Sequence, residues 1–401
     1  MKILVLNCGS SSLKYQLMDM EKEEVITKGT YERIGQDNSF VTIKQNGEKI
    51  RIEHPVENHD LALKFVMEDL LTGEQYGVIH DLNEIDAVGH RLVHGGEKFS
   101  SSVLITDEVI EQIKECIPLA PLHNPACLLG IEACQKQMKD TPMVAVFDTA
   151  FHQTMPKENY IYPLPYEYYE KYKIRKYGFH GTSHKFVSRR VAEVIERNIE
   201  NLKIVTCHLG QGASLCAVDG GKSVNTSMGL TPLGGIAMCA RCGDMDPSIV
   251  GYLMDTLGKS KEEINNILNK ESGVLGVSGI SPDFRDVEMA KAEGNERATL
   301  AIDFYNHTVA EYIARYAVSM QGIDVIVFTA GIGENQINIR KGICEKLRFM
   351  GVEIDEKANN CRGEEVEIST ENSKIKVFVI PTDEELMIAR DTKEIVEKYL
   401  D

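Results

Sequence analysis

One stretch of the chain is written twice. Ile204-Val205-Thr206-Cys207-His208-Leu209-Gly210-Gln211-Gly212-Ala213-Ser214-Leu215-Cys216-Ala217-Val218 can be laid against Ile3-Leu4-Val5-Leu6-Asn7-Cys8-Gly9-Ser10-Ser11-Ser12-Leu13-Lys14-Tyr15-Gln16-Leu17. Both read as an apolar strand, a Gly/Ser turn and a second strand. With 401 residues there is length for two domains, each with its own core. Two glycine-rich hairpins in two half-chains suggest two walls of one cleft.

Around these hairpins the hydrophobic periodicity predicts alternating strands and helices. Strands are expected at 3–6 and 13–18, with further alternating segments ending near residue 52, and then at 85–88, 143–147 and 324–329. Helices are expected at 59–71, at 107–117 behind Thr106 as N-cap, and at 298–320, whose Ala301, Phe304/Tyr305, Thr308, Tyr312 and Tyr316 share a face. Ile339, Ile343 and Leu347 mark another helix. A last helix is capped by Thr382 with Glu385 as capping-box partner, and Leu386, Ala389, Ile395 and Tyr399 mark its apolar side. The polar, Pro- and Tyr-rich stretch 154–172 is the expected domain boundary.

Composition narrows the partners. The formal net charge of −17 repels nucleic acid and anionic membranes, so any anionic ligand has to be captured by local arginines, lysines and backbone N–H groups. No apolar run approaches a membrane span, and the first is too short for a signal sequence. Ten cysteines without framework spacing indicate a reducing cytoplasm. Cys239-Ala240-Arg241-Cys242 has the spacing of half a zinc site, but no second C-x-x-C exists to complete one.

Several stretches carry chemistry. Asn7-Cys8-Gly9-Ser10-Ser11-Ser12-Leu13-Lys14 puts a glycine, three hydroxyls and a lysine at a hairpin tip that can hold a phosphate. It is no Walker loop, because the strand leads into another strand and G-x-x-x-x-G-K-[ST] is absent. Gly331-Ile332-Gly333-Glu334-Asn335 follows a buried strand, and its third dinucleotide glycine is replaced by Gln336. Arg91 and Asp148 each stand just beyond an apolar strand run, where open α/β sheets put their sites. Tyr177-Gly178-Phe179-His180-Gly181-Thr182-Ser183-His184 sets two histidines among glycines and hydroxyls ahead of a helix.

Together these stretches resemble the acetate kinase family, within the superfamily of carboxylate and sugar kinases, heat-shock ATPases and actins. The likeness runs from Met1 to the last helix. It rests on NCGSSSLKYQ at 7–16, GHRLVHGGEKF at 89–99, APLHNP at 120–125, FDTAFHQTMP at 147–156, YGFHGTSH at 177–184, GGKSVNTSMGLTP at 220–232, GVLGVSG at 273–279, FTAGIGEN at 328–335 and PTDEELMIARDT at 381–392. It implies an α/β fold of two duplicated ribonuclease H-like (actin/sugar kinase-type) domains with an active-site cleft between them. The first domain would span 1–150 plus 386–401 on the carboxylate side, and the second 151–385 with the nucleotide and the dimer contact.

The same likeness implies a homodimeric cytoplasmic enzyme that transfers the γ-phosphoryl group of ATP to acetate, with Mg²⁺ or Mn²⁺. Asn7 and Glu384 would position the metal, and Ser10, Ser12 and Lys14 would face the phosphates. Arg91 would hold the carboxylate beside an acyl pocket of Val93, Leu122, Phe179 and Pro232. His180 and Arg241 would stabilise the transition state. Asp148 is the family's acid/base or positioning residue, and since acetate is already ionised near pH 7, orienting Arg91 or the metal is the role it suits better. His208, Leu209, Gly210, Gln211 and Gly212, then Asp283, Phe284 and Arg285, then Gly331, Ile332, Gly333, Glu334 and Asn335 would hold ATP.

The chain departs from the family pattern at Gln211, where Asn is expected, at Gly234, where Glu is common, and at Cys239-Ala240, where Gly-Thr is common. The rival readings are a propionate or butyrate kinase, pyrophosphate as donor, a non-transferring nucleotide-driven ATPase, and redox control through Cys239 and Cys242, whose thiolates an arginine would stabilise.

Overall fold

A computed structural model of the chain describes residues 1–45, 47–121 and 123–400. It holds two mixed sheets. The first is built from β1 (Lys2–Cys8), β2 (Ser12–Asp19), β3 (Glu24–Glu32), β4 (Phe40–Gln45), β5 (Glu48–Glu53), β6 (Ala87–Leu92), β7 (Val103–Leu104) and β8 (Met143–Phe147), in the order β5-β4-β3-β2-β1-β6-β8-β7. The second uses β9 (Lys203–Leu209), β10 (Ala213–Asp219), β11 (Lys222–Thr226), β12 (Val325–Thr329), β13 (Val366–Glu367) and β14 (Lys376–Val379), in the order β11-β10-β9-β12-β14-β13.

Removing β4 and β5 makes the two orders identical. In each sheet an antiparallel three-strand meander is followed by two parallel strands, β6 and β8 in one and β12 and β14 in the other, and then by an antiparallel edge. The written repeat is therefore a structural one, and the fold is the duplicated ribonuclease H-like α/β architecture. Strands β8 and β12 are buried at every position, as parallel strands covered on both faces require.

The chain separates into two compact units, Met1–Phe151 with Asp383–Asp401, and His152–Thr382. The second passage into the first unit comes ahead of residue 386. The helix Glu384–Leu400 is continuous, so the division falls before its first turn and not within it. Its cap also differs from expectation: Asp383 Oδ1 accepts from the Leu386 N–H at 2.9 Å, while the Thr382 hydroxyl pairs with Ser183 at 2.8 Å. Ile388, Ala389 and Val396 of this helix pack on Ile3, Val5, Ala87, Val144 and Val146, whereas Tyr399 is exposed. The opposite face of the first sheet is covered by the helices His59–Phe65 and Asn124–Gln137.

Three other expectations shift. The predicted strand 85–88 is β6, which runs on through Gly89, His90 and Arg91 because a central parallel strand keeps its ladder whatever its side chains. The helix expected at 59–71 is α-helical only to Phe65 and continues as a π-turn, Val66–Leu71. In the helix Glu296–Met320, Tyr305, Tyr312 and Tyr316 are buried but Phe304 is exposed. Thr106 does cap its helix, accepting from Val109 at 3.3 Å. Among the described residues no helix is long and apolar enough to cross a membrane.

Gly89 sets how closely the last helix approaches the sheet. A Cβ there would lie 2.5 Å from Thr392 Oγ1 and 2.7 Å from Ile388 Cγ2. Gly89→Ala is expected to lower unfolding free energy by about 1–3 kcal/mol through overpacking, measured by urea denaturation.

Candidate active site

In the first unit the chemistry gathers where β1, β6 and β8 end. The β1–β2 hairpin closes with the Gly9 N–H donating to Ser12 O at 2.8 Å, and His59 Nε2 lies 2.7 Å from Gly9 O. This leaves Ser10 and Lys14 exposed and Ser12 partly so, with Asn7 directly opposite Lys14. Arg91 is two residues along β6 from Gly89 and so shares its face, the one that meets the last helix. Its guanidinium grips Asp148 bidentately, Nε to Oδ1 at 3.0 Å and Nη2 to Oδ2 at 2.7 Å. Asp148 is 2% exposed and is seated by its own N–H on Leu92 O at 2.9 Å.

Glu384, in the first turn of the last helix, places Oε2 4.0 Å from Arg91 Nε. Burial pushes its carboxyl up to about 7. The Arg91 charge opposes that rise, and the Asp148 charge adds to it. Val93 lies just past β6 and is partly buried. Leu122 lies outside the described residues.

In the second unit a group of imidazoles fills the space under the helix Gly181–Val194. His180 caps that helix from a left-handed backbone, φ 55°, which a non-glycine residue holds only where its surroundings fix it. Its ring stacks on His208 with centroids 4.1 Å apart, and its Nδ1 is 2.8 Å from Ser214 Oγ. His152 Nε2 donates to the carbonyl of Phe179 at 2.9 Å, which anchors the residue ahead of His180. Phe179 itself is buried.

Arg241 converges on the same place. A Cβ on Gly212 would lie 3.2 Å from Arg241 Nη1 and 3.6 Å from both Cε1 and Nε2 of His180. Arg241 Nη1 donates to the carbonyl of Pro232 at 3.0 Å. No carboxylate among the described residues forms an ion pair with it, and burial lowers the affinity of its guanidinium for its proton. It is a partly desolvated cation facing an imidazole edge and a glycine, an arrangement suited to an incoming anion.

Beside these residues a cavity of about 420 Å³ joins three of the expected nucleotide segments. Its lining includes Gly210 and Gln211, Asp283, Phe284 and Arg285, and Gly331, Ile332 and Asn335. The other expected members of those segments have different places. Leu209 is core, and the Gly333 carbonyl accepts from the buried Arg340 at 2.9 Å. Glu334 Oε1 accepts from Ala330 N at 2.8 Å and Thr382 N at 3.2 Å, which holds the left-handed Ala330, φ 63°, at the end of β12. Arg285 is turned back onto Asp283, the N-cap of its own helix.

Residues 2–390 match the acetokinase family. The chain belongs to that family. The acetate kinase of Halothermothrix orenii is 60% identical over 398 residues, 99% of this chain and 100% of that one. Among solved structures, the acetate kinase of Porphyromonas gingivalis is 49% identical with a TM-score of 0.95, covering 98% of this chain and 99% of its own. A propionate kinase from Francisella tularensis is 45% identical with a TM-score of 0.90, over 98% and 99% of the two chains.

Against the acetokinase pattern the departures find physical places. Gln211 is exposed at the rim of the cavity. Gly234 sits beside Asp244, where a glutamate would bring a second carboxylate: a Cβ there would be 3.6 Å from Asp244 Oδ1. The surroundings of Cys239 and Cys242 do not favour the rival thiolate reading. Burial pushes Cys239 up to about 11 and raises Cys242 too, and the sulfurs lie near different carbonyls, Gly210 at 3.6 Å and Gly243 at 3.2 Å. Cys239 instead lines the cavity, with Pro282, Gln336 and Arg362, all four missed by the sequence reading. Arg362 reaches it by donating to Asn335 O at 2.7 Å. No local pattern around Arg362 signals that role.

Burial holds several imidazoles neutral, His90 down to about 3, His94 and His152 to about 4, and His184 well below its ordinary value. Their folded values lie below the unfolded value, so the stability they contribute is complete above about pH 6.5 and is lost as pH falls toward those folded values. Urea unfolding at pH 7, 6 and 5 should show stability declining by up to about 1.4 kcal/mol per pH unit per histidine. In His90→Leu the decline should be shallower by one proton.

Proposed function

We propose that this acetokinase-family chain is an acetate kinase, transferring the γ-phosphoryl group of ATP reversibly to acetate to give acetyl phosphate and ADP by direct in-line displacement. The observation that carries this reading is the contrast between its two arginines. Arg91 is fixed as a flat donor by Asp148, while Arg241 forms no ion pair with a carboxylate among the described residues and turns to the His180 edge. A carboxylate acceptor needs an oriented clamp, and a phosphoryl group in transfer needs an uncommitted cation.

In this mechanism Arg91 orients the acetate carboxylate, and on the family resemblance Val93, Leu122, Phe179 and Pro232 would be the residues that select its methyl group. An acetate oxygen forms the new bond to the γ-phosphorus as the bond to the β-phosphate oxygen breaks, and Arg241 and His180 offset charge on the equatorial oxygens. Asp148, fully engaged by Arg91, acts as a positioning residue. Ser10, Ser12 and Lys14 face the phosphates. His208, Leu209, Gly210, Gln211 and Gly212 with Asp283, Phe284, Arg285 and the loop from Gly331 through Ile332, Gly333 and Glu334 to Asn335 form or support the nucleotide side. The size of that cavity supports a nucleotide over bare pyrophosphate.

Asn7 and Glu384 would hold Mg²⁺, or Mn²⁺ in its place. The donor set fits: it is all oxygen, and a carboxyl raised to about 7 by burial gains from a nearby dication. A hard cation of this kind is commonly held through one or two carboxylates, with water and substrate phosphate completing its shell. When bound it supplies charge neutralisation between the two anions. The reading carries with it a cytoplasmic homodimer. The exposed Ile249, Tyr252 and Leu257, and Leu300 and Phe304 on the helix Glu296–Met320, are apolar surface suited to a subunit contact.

With ATP, Mg²⁺ and acetate, trapping by hydroxylamine should yield acetohydroxamate, with propionate a weaker substrate; absence of any hydroxamate from C2 to C4 acids would refute the reading. Arg241→Ala should lower turnover on the order of 10³-fold with its thermal unfolding unchanged. Light scattering should return about twice 44.8 kDa.

A further inference from the structure

Strands β9 and β10 present Thr206, His208, Ser214 and Cys216 on one face, since Ser214 is registered with His208 and Cys216 with Thr206. His184 comes down onto that face from the helix Gly181–Val194, one turn after His180, whose carbonyl accepts the His184 N–H at 2.9 Å. Its ring is completely buried and bonded at both ends: Nδ1 is 2.7 Å from Thr206 Oγ1, and Nε2 is 2.8 Å from Ser214 Oγ. The Ser214 oxygen also meets His180 Nδ1 at 2.8 Å. Thr206, His184, Ser214 and His180 thus form one continuous chain.

Proton counting leaves this chain two arrangements. A neutral imidazole donates once and accepts once, and a hydroxyl has a single proton to give but can accept twice; were both rings to donate to Ser214, its own proton would have no acceptor among the described residues, so every bond must point the same way. If the chain ran from His180 toward Thr206, His184 Nδ1–H would donate to Thr206. The Thr206 O–H, buried and bonded only to His184 among the described residues, would then have no acceptor. If it runs the other way, Thr206 O–H donates to His184 Nδ1, His184 Nε2–H donates to Ser214, and Ser214 O–H donates to His180 Nδ1. Every proton in the chain is then used, and His180 must carry its own on Nε2. That atom faces the Gly212 side, beside Arg241 Nη1.

We propose that Thr206, His184 and Ser214 are positioning residues that fix His180 as its Nε2–H tautomer, so that the ring presents a hydrogen-bond donor beside Arg241. Its use toward a phosphoryl oxygen rests on the phosphotransfer reading above; the tautomer itself does not. Burial of His184 and the neighbouring His152 and His208 keep its ring neutral, which the counting requires. The left-handed backbone of His180 and its stacking on His208 hold the ring where Ser214 can reach it.

The test is long-range ¹H–¹⁵N correlation on histidine-labelled full-length protein, with kinetics on Thr206→Val, Thr206→Ser and Ser214→Ala. The wild type should show His180 as the Nε2–H form. Thr206→Val exchanges one hydroxyl for a methyl and should mix the His180 tautomers and lower kcat roughly 10- to 100-fold, the usual cost of losing an outer partner that orients an imidazole, with KM for ATP and acetate retained. Thr206→Ser restores the donor and should restore both readouts. Unchanged His59 and His90 resonances report an intact fold elsewhere, and if Thr206→Val does not fold, Ser214→Ala serves the same purpose by removing a single oxygen. A wild-type His180 protonated on Nδ1, or unaltered His180 shifts in both Thr206→Val and Ser214→Ala, would overturn the chain. If the protein transferred no phosphoryl group at all, the kinetic arm would fall silent while the tautomer measurement still decided the matter.

Discussion

Parallel pairing at the centre of each sheet is the constraint from which the rest follows. β1, β6 and β8 run the same way, as do β9, β12 and β14, so their carboxyl ends finish along one edge of each sheet. Each end then delivers a polar residue to that edge: Asn7, Arg91 and Asp148 in the first unit, His208, Thr329 and the Thr382 region in the second. Reversing one of those strands would carry its polar residue to the opposite edge. The hairpin turns Gly9–Ser12 and Gly210–Gly212 occupy the same edge because β2 and β10 return antiparallel from it.

On this scaffold charge is distributed unevenly, and the unevenness has a chemical use. A protein of net charge −17 has carboxylates to spare, yet among the described residues Arg241 is paired with none while Arg91 is given two neighbours, Asp148 and Glu384. An arginine locked by a buried carboxylate is a rigid shape. One that is desolvated and uncommitted is a source of field. The buried Arg340 represents a third use, its donors spent on the carbonyls of Gly333, Asn359 and Cys361 and on the Asn359 side chain, so that it serves as a clamp for the glycine loop.

Much of this was readable in the residues because the signals are local. The strand at 143–147 has the bounds its residues predict, since a short run of Met, Val, Ala, Val and Phe between a proline and an aspartate has few other fates. The hairpin repeat announced the duplication. The cap of the last helix was misplaced by one residue because threonine and aspartate both cap well, and only the tertiary pairing of Thr382 with Ser183 decides between them. Cys239 drew attention by its spacing, while its actual surroundings depend on Gly210 and Asp283 from distant segments. Arg362 and the Thr206–His184–Ser214 chain were invisible for the same reason: strand alternation says which residues share a face, and only register says which of them meet.

The discontinuous first unit has a consequence for how the chain comes to be folded. Ile3, Val5, Ala87, Val144 and Val146 emerge early in synthesis, but the side chains that cover them, Ile388, Ala389 and Val396, emerge only after the whole of the second unit has been made. The second unit, contiguous from His152 to Thr382, has all its parts sooner. The earliest-made sheet is therefore the last to be sealed, and Glu384 arrives with the helix that seals it. A nascent chain already holds Asp148 against Arg91 but gains the second acidic neighbour, Glu384, only in the act of covering this face of its first sheet, so completion of the fold and completion of the site are one event.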